Sequence, residues 1–364
     1  MTKTETTRII NFSAGPAAIP LGVLESAQLN LINYQNAGLS VMEMSHRSKE
    51  YDQIHENAHN NIRKLLNIPS NYSVLFMQGG ASQQFAMLPM NFAQSGPVDV
   101  INTGSWTKKA IGELKKGYKH TIVASSENQK FLQLPDLTQS SFNSNAAYVY
   151  MCSNNTIFGT QFKTFPKTSA PLIVDMSSDI LSRPLDVTQF GVIFAGAQKN
   201  IGPSGVTLVI IRNDLLPTIP DSIPVFFNYN THVNAKSLYN TPPTFGIYMA
   251  NLVFERLLDN GGLDQQKLEN EAKANALYSV IDESNQFYCP IPINDRSPMN
   301  VVFRQKDHNE AIESELITFA KSHGIDGIKG HRSVGGLRAS IYNAQTIENV
   351  ATFANILKEF DELQ

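Results

Sequence analysis

One lysine, Lys199, stands between two apolar runs that leave little room for a charge. Upstream, Gly191-Val-Ile-Phe-Ala195 reads as a buried strand. The chain then passes through small and Gly/Pro residues, Gly196-Ala-Gln-Lys199-Asn-Ile-Gly-Pro-Ser-Gly205, and restarts a strand in Gly205-Val-Thr-Leu-Val-Ile-Ile211. An unpaired ammonium between core strands is costly to bury. Two readings fit this segment: an ordinary lysine on an exposed loop, or a lysine whose amine sheds its charge by forming a Schiff base with an aldehyde.

Three further segments bear on that choice. Asp175 closes the apolar run Pro171-Leu-Ile-Val-Asp175 and is followed by the loop start Met-Ser-Ser-Asp179. Ligands of open α/β sheets sit at the carboxyl ends of strands, where a buried carboxylate would keep a pyridine nitrogen protonated and sustain an electron sink. The same Asp equally suits the cap of the next turn, and Asp179, further into the loop, competes for the role. Gly79-Gly-Ala-Ser82 follows a strand over Val74–Met77 and opens a helix, so its backbone N–H groups suit a phosphate, with Ser82 expected to cap the helix and bond an oxygen. Neither a Walker lysine nor a full G-x-G-x-x-G accompanies it, which speaks against nucleoside phosphates. Trp106, the only tryptophan, lies just past a strand over Val98–Ile101, placed to stack on a planar ring or to serve as ordinary core. A phosphorylated pyridine aldehyde, pyridoxal phosphate, meets these demands together.

Basic residues gather in Ser45-His46-Arg47-Ser48 and in His331-Arg332-Ser-Val-Gly-Gly-Leu-Arg338. Guanidinium forks suit carboxylates and phosphates, so the two clusters fit a small, multiply anionic substrate; solvated surface arginines are the alternative. His55-Glu-Asn-Ala-His59 matches H-E-x-x-H formally. The apolar stripe of its helix, Tyr51, Ile54, Ala58, Ile62 and Leu65, puts both histidines on the polar flank. No third ligand follows, and no metal is expected.

These groups need a scaffold. The 364 residues suggest roughly two domains. A net charge of −3 without like-charge blocks argues against a nucleic-acid surface. The polar N-terminus carries no secretory signal, no apolar run approaches the ~20 residues that span a bilayer, and Cys152 and Cys289 cannot make a disulfide framework, so a cytoplasmic protein is expected. Apolar runs predict strands over Val74–Met77, Val98–Ile101, Thr121–Ala124, Ala146–Met151, Pro171–Asp175, Val192–Ala195 and Val206–Ile211. Helical patterns over Ser82–Gln94 and Ser105–Gly117 alternate with them, and long helices over Leu21–Asn36 and Lys49–Leu66 precede them. The alternation predicts an α/β fold whose mostly parallel seven-stranded sheet is flanked by helices. Beyond Asn260-Gly-Gly262 the texture changes to helices over Gly261–Ile281, Asn309–His323 and Thr346–Leu363 with a strand over Asn300–Phe303, a smaller α+β domain. The expected division is a large domain over 16–260 and a small one made of 1–15 and 261–364.

Asn11-Phe-Ser-Ala-Gly-Pro16, Val41-Met-Glu-Met-Ser-His-Arg47, Ala195-Gly-Ala-Gln-Lys-Asn-Ile-Gly202, Asn240-Thr-Pro-Pro-Thr-Phe245 and Gly330-His-Arg-Ser-Val-Gly-Gly-Leu-Arg-Ala-Ser-Ile-Tyr-Asn343 resemble, in order, the signatures of the phosphoserine aminotransferase family, fold-type I, class-V enzymes that depend on pyridoxal phosphate. The resemblance spans nearly the whole chain. It implies Lys199 as the Schiff-base lysine, Asp175 as the partner of the pyridine nitrogen and Trp106 stacked on the ring. Ala81, Ser82 and Gln198 would hold the cofactor phosphate, Thr156 would contact the cofactor, and Asn240 and Thr241 would reach the cofactor phosphate of the neighbouring subunit of a homodimer. Arg338 would receive the α-carboxylate, with His46, Arg47, His331 and Arg332 around the substrate's phosphate and distal carboxylate. The implied reaction is amino transfer between L-glutamate and 3-phosphohydroxypyruvate, giving 2-oxoglutarate and O-phospho-L-serine in serine biosynthesis; some relatives also serve the 4-phosphohydroxy-L-threonine pair of vitamin B6 biosynthesis. Some relatives carry an arginine where this chain has Ser82, which bears on cofactor affinity. Three other readings compete: a cysteine desulfurase on the same fold, for which neither Cys152 nor Cys289 is well placed, a zinc hydrolase through His55 and His59, and a non-catalytic cofactor-binding protein.

Overall fold

The apolar runs do assemble into one sheet. In the computed structural model, which describes residues 8–138 and 140–364, the strands are β1 (Tyr72–Gly79), β2 (Val98–Asn102), β3 (His120–Ser125), β4 (Tyr148–Cys152), β5 (Leu172–Asp175), β6 (Val192–Gly196) and β7 (Gly205–Arg212). They lie in the order β1-β7-β6-β5-β4-β2-β3. Neighbours are parallel except where β7 runs antiparallel to β1 and β6. The loop carrying Lys199 therefore turns at the edge where β1, β4, β5 and β6 all end.

Alternate residues of the strands feed two cores. Val149, Met151, Val174, Ala195 and Leu208 meet helices α1 (Leu21–Leu29) and α2 (Lys49–Leu66) and the later helix Thr244–Asp259 on one face. Tyr150, Ile173, Phe194 and Val209 meet α3 (Ala81–Phe92) and α4 (Ser105–Leu114) on the other. Coverage on both faces is why these strands read as unbroken apolar runs rather than alternating ones.

A third core lies apart from the sheet. Helix α5 (Thr244–Asp259) is capped by Asn260, and α6 (Gly262–Glu283) starts at Gly262 behind its cap Gly261, both glycines at positive φ (73° and 93°), conformations that glycine adopts without strain. Leu277 and Ile281 of α6 pack with Val301 and Phe303 of β8 (Asn300–Gln305), Leu316 of α7 (Glu310–Ser322), Leu337 and Ala339 of β9 (Leu337–Ser340), and Phe353 and Leu357 of α8 (Ile347–Leu363). Phe12, near the start of the described chain, is wholly buried in this core, and Ile10 pairs with Ile325. Residues 1–7 lie outside the described residues.

Two expectations fail, one for a local reason and one because of packing between elements. The helix over Leu21–Asn36 stops at Leu29, leaving an isolated turn at Tyr34–Asn36. There the Asn30 amide donates to the Ser26 carbonyl (3.0 Å) and Asn33 Oδ1 accepts the Gly38 N–H (2.8 Å), side-chain bonds that compete with helix propagation.

The second failure concerns His55 and His59, which do not sit on the polar flank of α2. Their rings are 4.5 Å apart, and both pack edge-on against Phe76 of β1, so the buried stripe is wider than the aliphatic residues indicate. Neither Nε2 has a hydrogen-bond partner, and among the described residues no group of three or more potential metal ligands occurs. Burial depresses both imidazoles, His55 to about 4 and His59 to about 3. They are therefore neutral in the fold, while the unfolded chain protonates them below about pH 6.5. Their contribution to stability is complete above that pH and is lost as pH falls toward 4. Replacing both (His55→Gln with His59→Gln) should remove about 2–4 kcal/mol of the stability lost between pH 7 and pH 5, read from urea unfolding at the two pH values. An unchanged pH dependence would refute the buried, neutral pair.

Candidate active site

At the shared strand edge, Lys199 is half-buried, and its Nζ donates to Thr156 Oγ1 at 2.7 Å. The same Nζ stands 5.4 Å from the centroid of the Trp106 ring. Thr156 follows β4 in the tight Asn154–Gln161 hairpin and is buried. Burial lowers the Lys199 ammonium below the usual lysine range, and the nearby Asp175 carboxylate partly restores it. The site thus makes the ammonium easier to deprotonate than an exposed lysine, and one hydroxyl holds its nitrogen.

Asp175 closes β5 and is 3% exposed. Its Oδ1 accepts the Ser177 N–H (2.9 Å) and the Ser177 hydroxyl (2.6 Å). Burial raises its pKa, and the Ser177 bonds and Lys199 pull it back down. Asp179 is differently placed. Its carboxylate accepts from Ser153 Oγ and from Gln161 Nε2 (3.3 Å) and pairs with Arg183 at 3.7 Å. Of the two carboxylates, Asp175 keeps the open oxygen.

Trp106 lies in the first turn of α4, a helix start fixed by Thr107 Oγ1, which accepts the Gly104 N–H at 3.1 Å. The Trp106 Nε1 is buried without a partner. Across the sheet end, α3 begins at Ala81 behind an extended Gly80 cap that supplies no side-chain bond. The Gln83 N–H donates to the Gly80 carbonyl (3.0 Å), and the Ala81 and Ser82 N–H groups, without a partner among the described residues, are left for an outside acceptor. Ser82 is consequently the second residue of the helix and not its cap: extended Gly80 starts the helix one residue earlier than the sequence suggests. Gln198 folds back over Gly196, where an added Cβ would come within 2.7 Å of its Oε1.

Arg338 lies on β9, buried, and its Nη1 donates to the Thr156 carbonyl at 3.2 Å while Nε has no partner. Burial holds its pKa below the ordinary guanidinium range. His331 is on the loop before β9 with Nδ1 against Ser333 Oγ (2.7 Å), and burial together with Arg338, Arg332 and Lys109 lowers its pKa. Arg338, Arg332 and Lys109 all lie near enough to disfavour a charge on His331, a positive field that favours an anion. Arg332 itself is exposed.

The chain does not bring every candidate to Lys199. His46 and Arg47 precede α2, where Ser48 caps the helix, and their side chains make no hydrogen bond or ion pair with any described residue. Asn240 and exposed Thr241 sit beside the end of β1: Gln78 Nε2 donates to the Thr241 carbonyl (2.6 Å) and Asn240 Nδ2 donates to Gln78 Oε1 (3.2 Å). A cleft of about 1080 Å³ lined by Lys163, Arg183, Lys267 and Arg296 contains none of these groups.

The residues present fit pyridoxal phosphate on three observations: a partly desolvated lysine amine, a buried carboxylate with one open oxygen, and an uncapped helix start reached through glycines, Gly79 at φ +99° and Gly80 with no atom within 4 Å of an added Cβ. Neither thiol suits desulfuration: Cys289 packs against the core of the C-terminal region, and burial raises its pKa. Cys152 ends β4 fully buried, its Sγ donates to the Asn154 carbonyl at 3.3 Å, and burial raises its pKa, so the thiolate is suppressed. Ser177 had escaped the sequence reading; its only signal is the Asp-x-Ser spacing of an Asx turn.

Comparison with known proteins agrees with this geometry. The chain matches the model of the class-V aminotransferases over residues 9–353. It is 52% identical over 355 residues to a phosphoserine aminotransferase of Geobacillus kaustophilus, covering 97% of this chain and 98% of that one. The solved phosphoserine aminotransferase of Bacillus circulans subsp. alkalophilus superposes with a TM-score of 0.95 at 48% identity, covering 98% and 99% of the two chains. A phosphoserine aminotransferase of Trichomonas vaginalis solved with pyridoxal phosphate bound gives 0.92 at 40% identity, covering 96% and 100%.

Proposed function

The chain belongs to the phosphoserine aminotransferase family of the class-V aminotransferases, and from that premise we propose that it transfers an amino group reversibly between L-glutamate and 3-phosphohydroxypyruvate, giving 2-oxoglutarate and O-phospho-L-serine. The observation that carries this reading is the Lys199 amine held on Thr156 over the face of Trp106, with Asp175 buried beside it.

Bound here, pyridoxal phosphate supplies an aldehyde for the lysine amine and an electron sink for charge developing at the substrate Cα. The chain's residues do the rest. Lys199, whose burial eases loss of its proton, takes a proton at the substrate Cα and returns it; its fixed place is the main contribution. Asp175 offers its open oxygen to the ring nitrogen, and Trp106 offers a flat apolar face. The Ala81 and Ser82 N–H groups and the Gln198 side chain receive the cofactor phosphate at the positive end of α3. Arg338, whose fork is only half used, takes the α-carboxylate, and His331 and Arg332 take the distal anionic group.

We propose a homodimer in which Asn240 and Thr241 serve the partner's phosphate site and His46 and Arg47 complete the substrate site. Two features support it: these residues lack partners at the Lys199 cluster of their own chain, and Leu29 (83% exposed), Ile32 (85%), Met42 (57%) and Val225 (53%) leave apolar surface uncovered. In this reading the large domain spans 16–260 and the small one 1–15 and 261–364, of which residues 1–7 lie outside the described residues. Free thiols at Cys152 and Cys289 support a reducing compartment, the cytoplasm, and no described helix is long and apolar enough to cross a membrane.

The test is direct. The purified chain reconstituted with pyridoxal phosphate should interconvert the two amino acid–keto acid pairs, and borohydride should fix the cofactor to Lys199 in a peptide mass map. Fixation on another lysine, or no amino transfer, refutes the assignment.

A further inference from the structure

Ser177 lies in the loop start that follows Asp175, and its hydroxyl bridges Asp175 to the neighbouring strand. Its hydroxyl accepts the Gly196 N–H at 3.0 Å and lies 2.6 Å from Asp175 Oδ1. A serine hydroxyl carries one proton. With the Gly196 N–H on its acceptor side, that proton is committed to the carboxylate. The Ser177 N–H adds a second bond to the same oxygen at 2.9 Å. Two donors on Oδ1 fix the carboxylate plane, and Oδ2 receives no hydrogen bond from any described residue. Gly196 closes β6, the strand that runs into Lys199, so one hydroxyl ties the Asp175 strand end to the Lys199 strand end. Both donors favour the ionised carboxylate over the neutral acid against the burial that opposes it. Ser177 is itself 6% exposed, so water cannot readily replace the bond.

We propose that Ser177 is a positioning residue: its hydroxyl holds Asp175 ionised and aims the open Oδ2 at the ring nitrogen of the cofactor. The proposal rests on the reading of Asp175 given above, and a binding cycle separates the two. The full-length protein is stripped of cofactor and titrated with pyridoxal phosphate and with its carbocyclic analogue, in which the ring nitrogen is replaced by C–H. Quenching of Trp106, the only tryptophan, reports binding.

The unaltered protein should bind pyridoxal phosphate more tightly than the analogue. Ser177→Ala should weaken pyridoxal phosphate binding roughly tenfold or more, the scale of a hydrogen bond to a charged group, and analogue binding by less than about twofold. Ser177→Thr, which keeps the hydroxyl, should restore the discrimination. Equal losses for both ligands would mean a merely structural serine and overturn the proposal, as would no loss for either. An unaltered protein that fails to distinguish the ligands overturns the reading of Asp175, and the proposal falls with it. Should Ser177→Ala not fold, Ser177→Cys, similar in size with a weak donor, takes its place under the same outcomes.

Discussion

A Lys199→Ala enzyme should bind pyridoxal phosphate and lose amino transfer by at least about 10,000-fold. Three functions fall together in this substitution. The amine that anchors the cofactor is gone, so borohydride no longer fixes it to the chain. The group that moves the proton at the substrate Cα is gone, and general acid–base catalysis alone contributes about 100- to 10,000-fold. The precise placement of that base, held by Thr156 Oγ1 at 2.7 Å and bounded by Trp106, is lost as well. The fold should survive, because the lysine is half-buried and Thr156 gains room for a water. Steady-state rates with L-glutamate and 3-phosphohydroxypyruvate, alongside a cofactor titration, check both halves. Turnover within tenfold of the unaltered enzyme would remove Lys199 from the mechanism.

How much of this was legible in the sequence follows from how local each feature is. The seven strands were legible because helices cover both faces of the sheet, which demands unbroken apolar runs. Lys199 and Asp175 were legible because strand ends are marked by a change from apolar to small or polar residues. Strand β9 was hidden because Gly335 and Gly336 at positive φ, with Arg338 in the strand itself, make the segment read as a loop motif. The inward turn of His55 and His59 depends on Phe76, which belongs to another element, and no helical periodicity encodes that. Ser177 is two residues from Asp175, but its other partner, Gly196, lies nineteen residues away, so its bridging role exists only once β5 and β6 are paired. Asn240 reaches Gln78 across 162 positions. Contacts of that range are set by the packing of the whole sheet.

The two buried acids provide the second large expectation, because Asp175 and Asp179 are four residues apart, similarly buried, and predicted to fail in opposite ways. Asp175→Asn keeps the shape and can still accept the two Ser177 bonds, but it offers the ring nitrogen no negative charge. Losing one member of a buried charge pair costs about 3–5 kcal/mol, which corresponds to a fall in kcat/KM of roughly 150- to 5,000-fold. The fold itself should be little affected, since Asn keeps both Ser177 bonds and Oδ2 has no hydrogen-bond partner among the described residues to lose. Asp179→Asn should do the reverse. Its carboxylate answers Arg183, Ser153 and Gln161 rather than the open side of the site, so its loss should lower stability by roughly 1–3 kcal/mol and leave kcat within a few-fold. Thermal unfolding and steady-state kinetics on the two variants give a crossed result if the assignment is right: Asp175→Asn inactive and stable, Asp179→Asn active and less stable. The opposite crossing would move the ring-nitrogen partner to Asp179, and with it the axis along which Lys199 must approach the substrate.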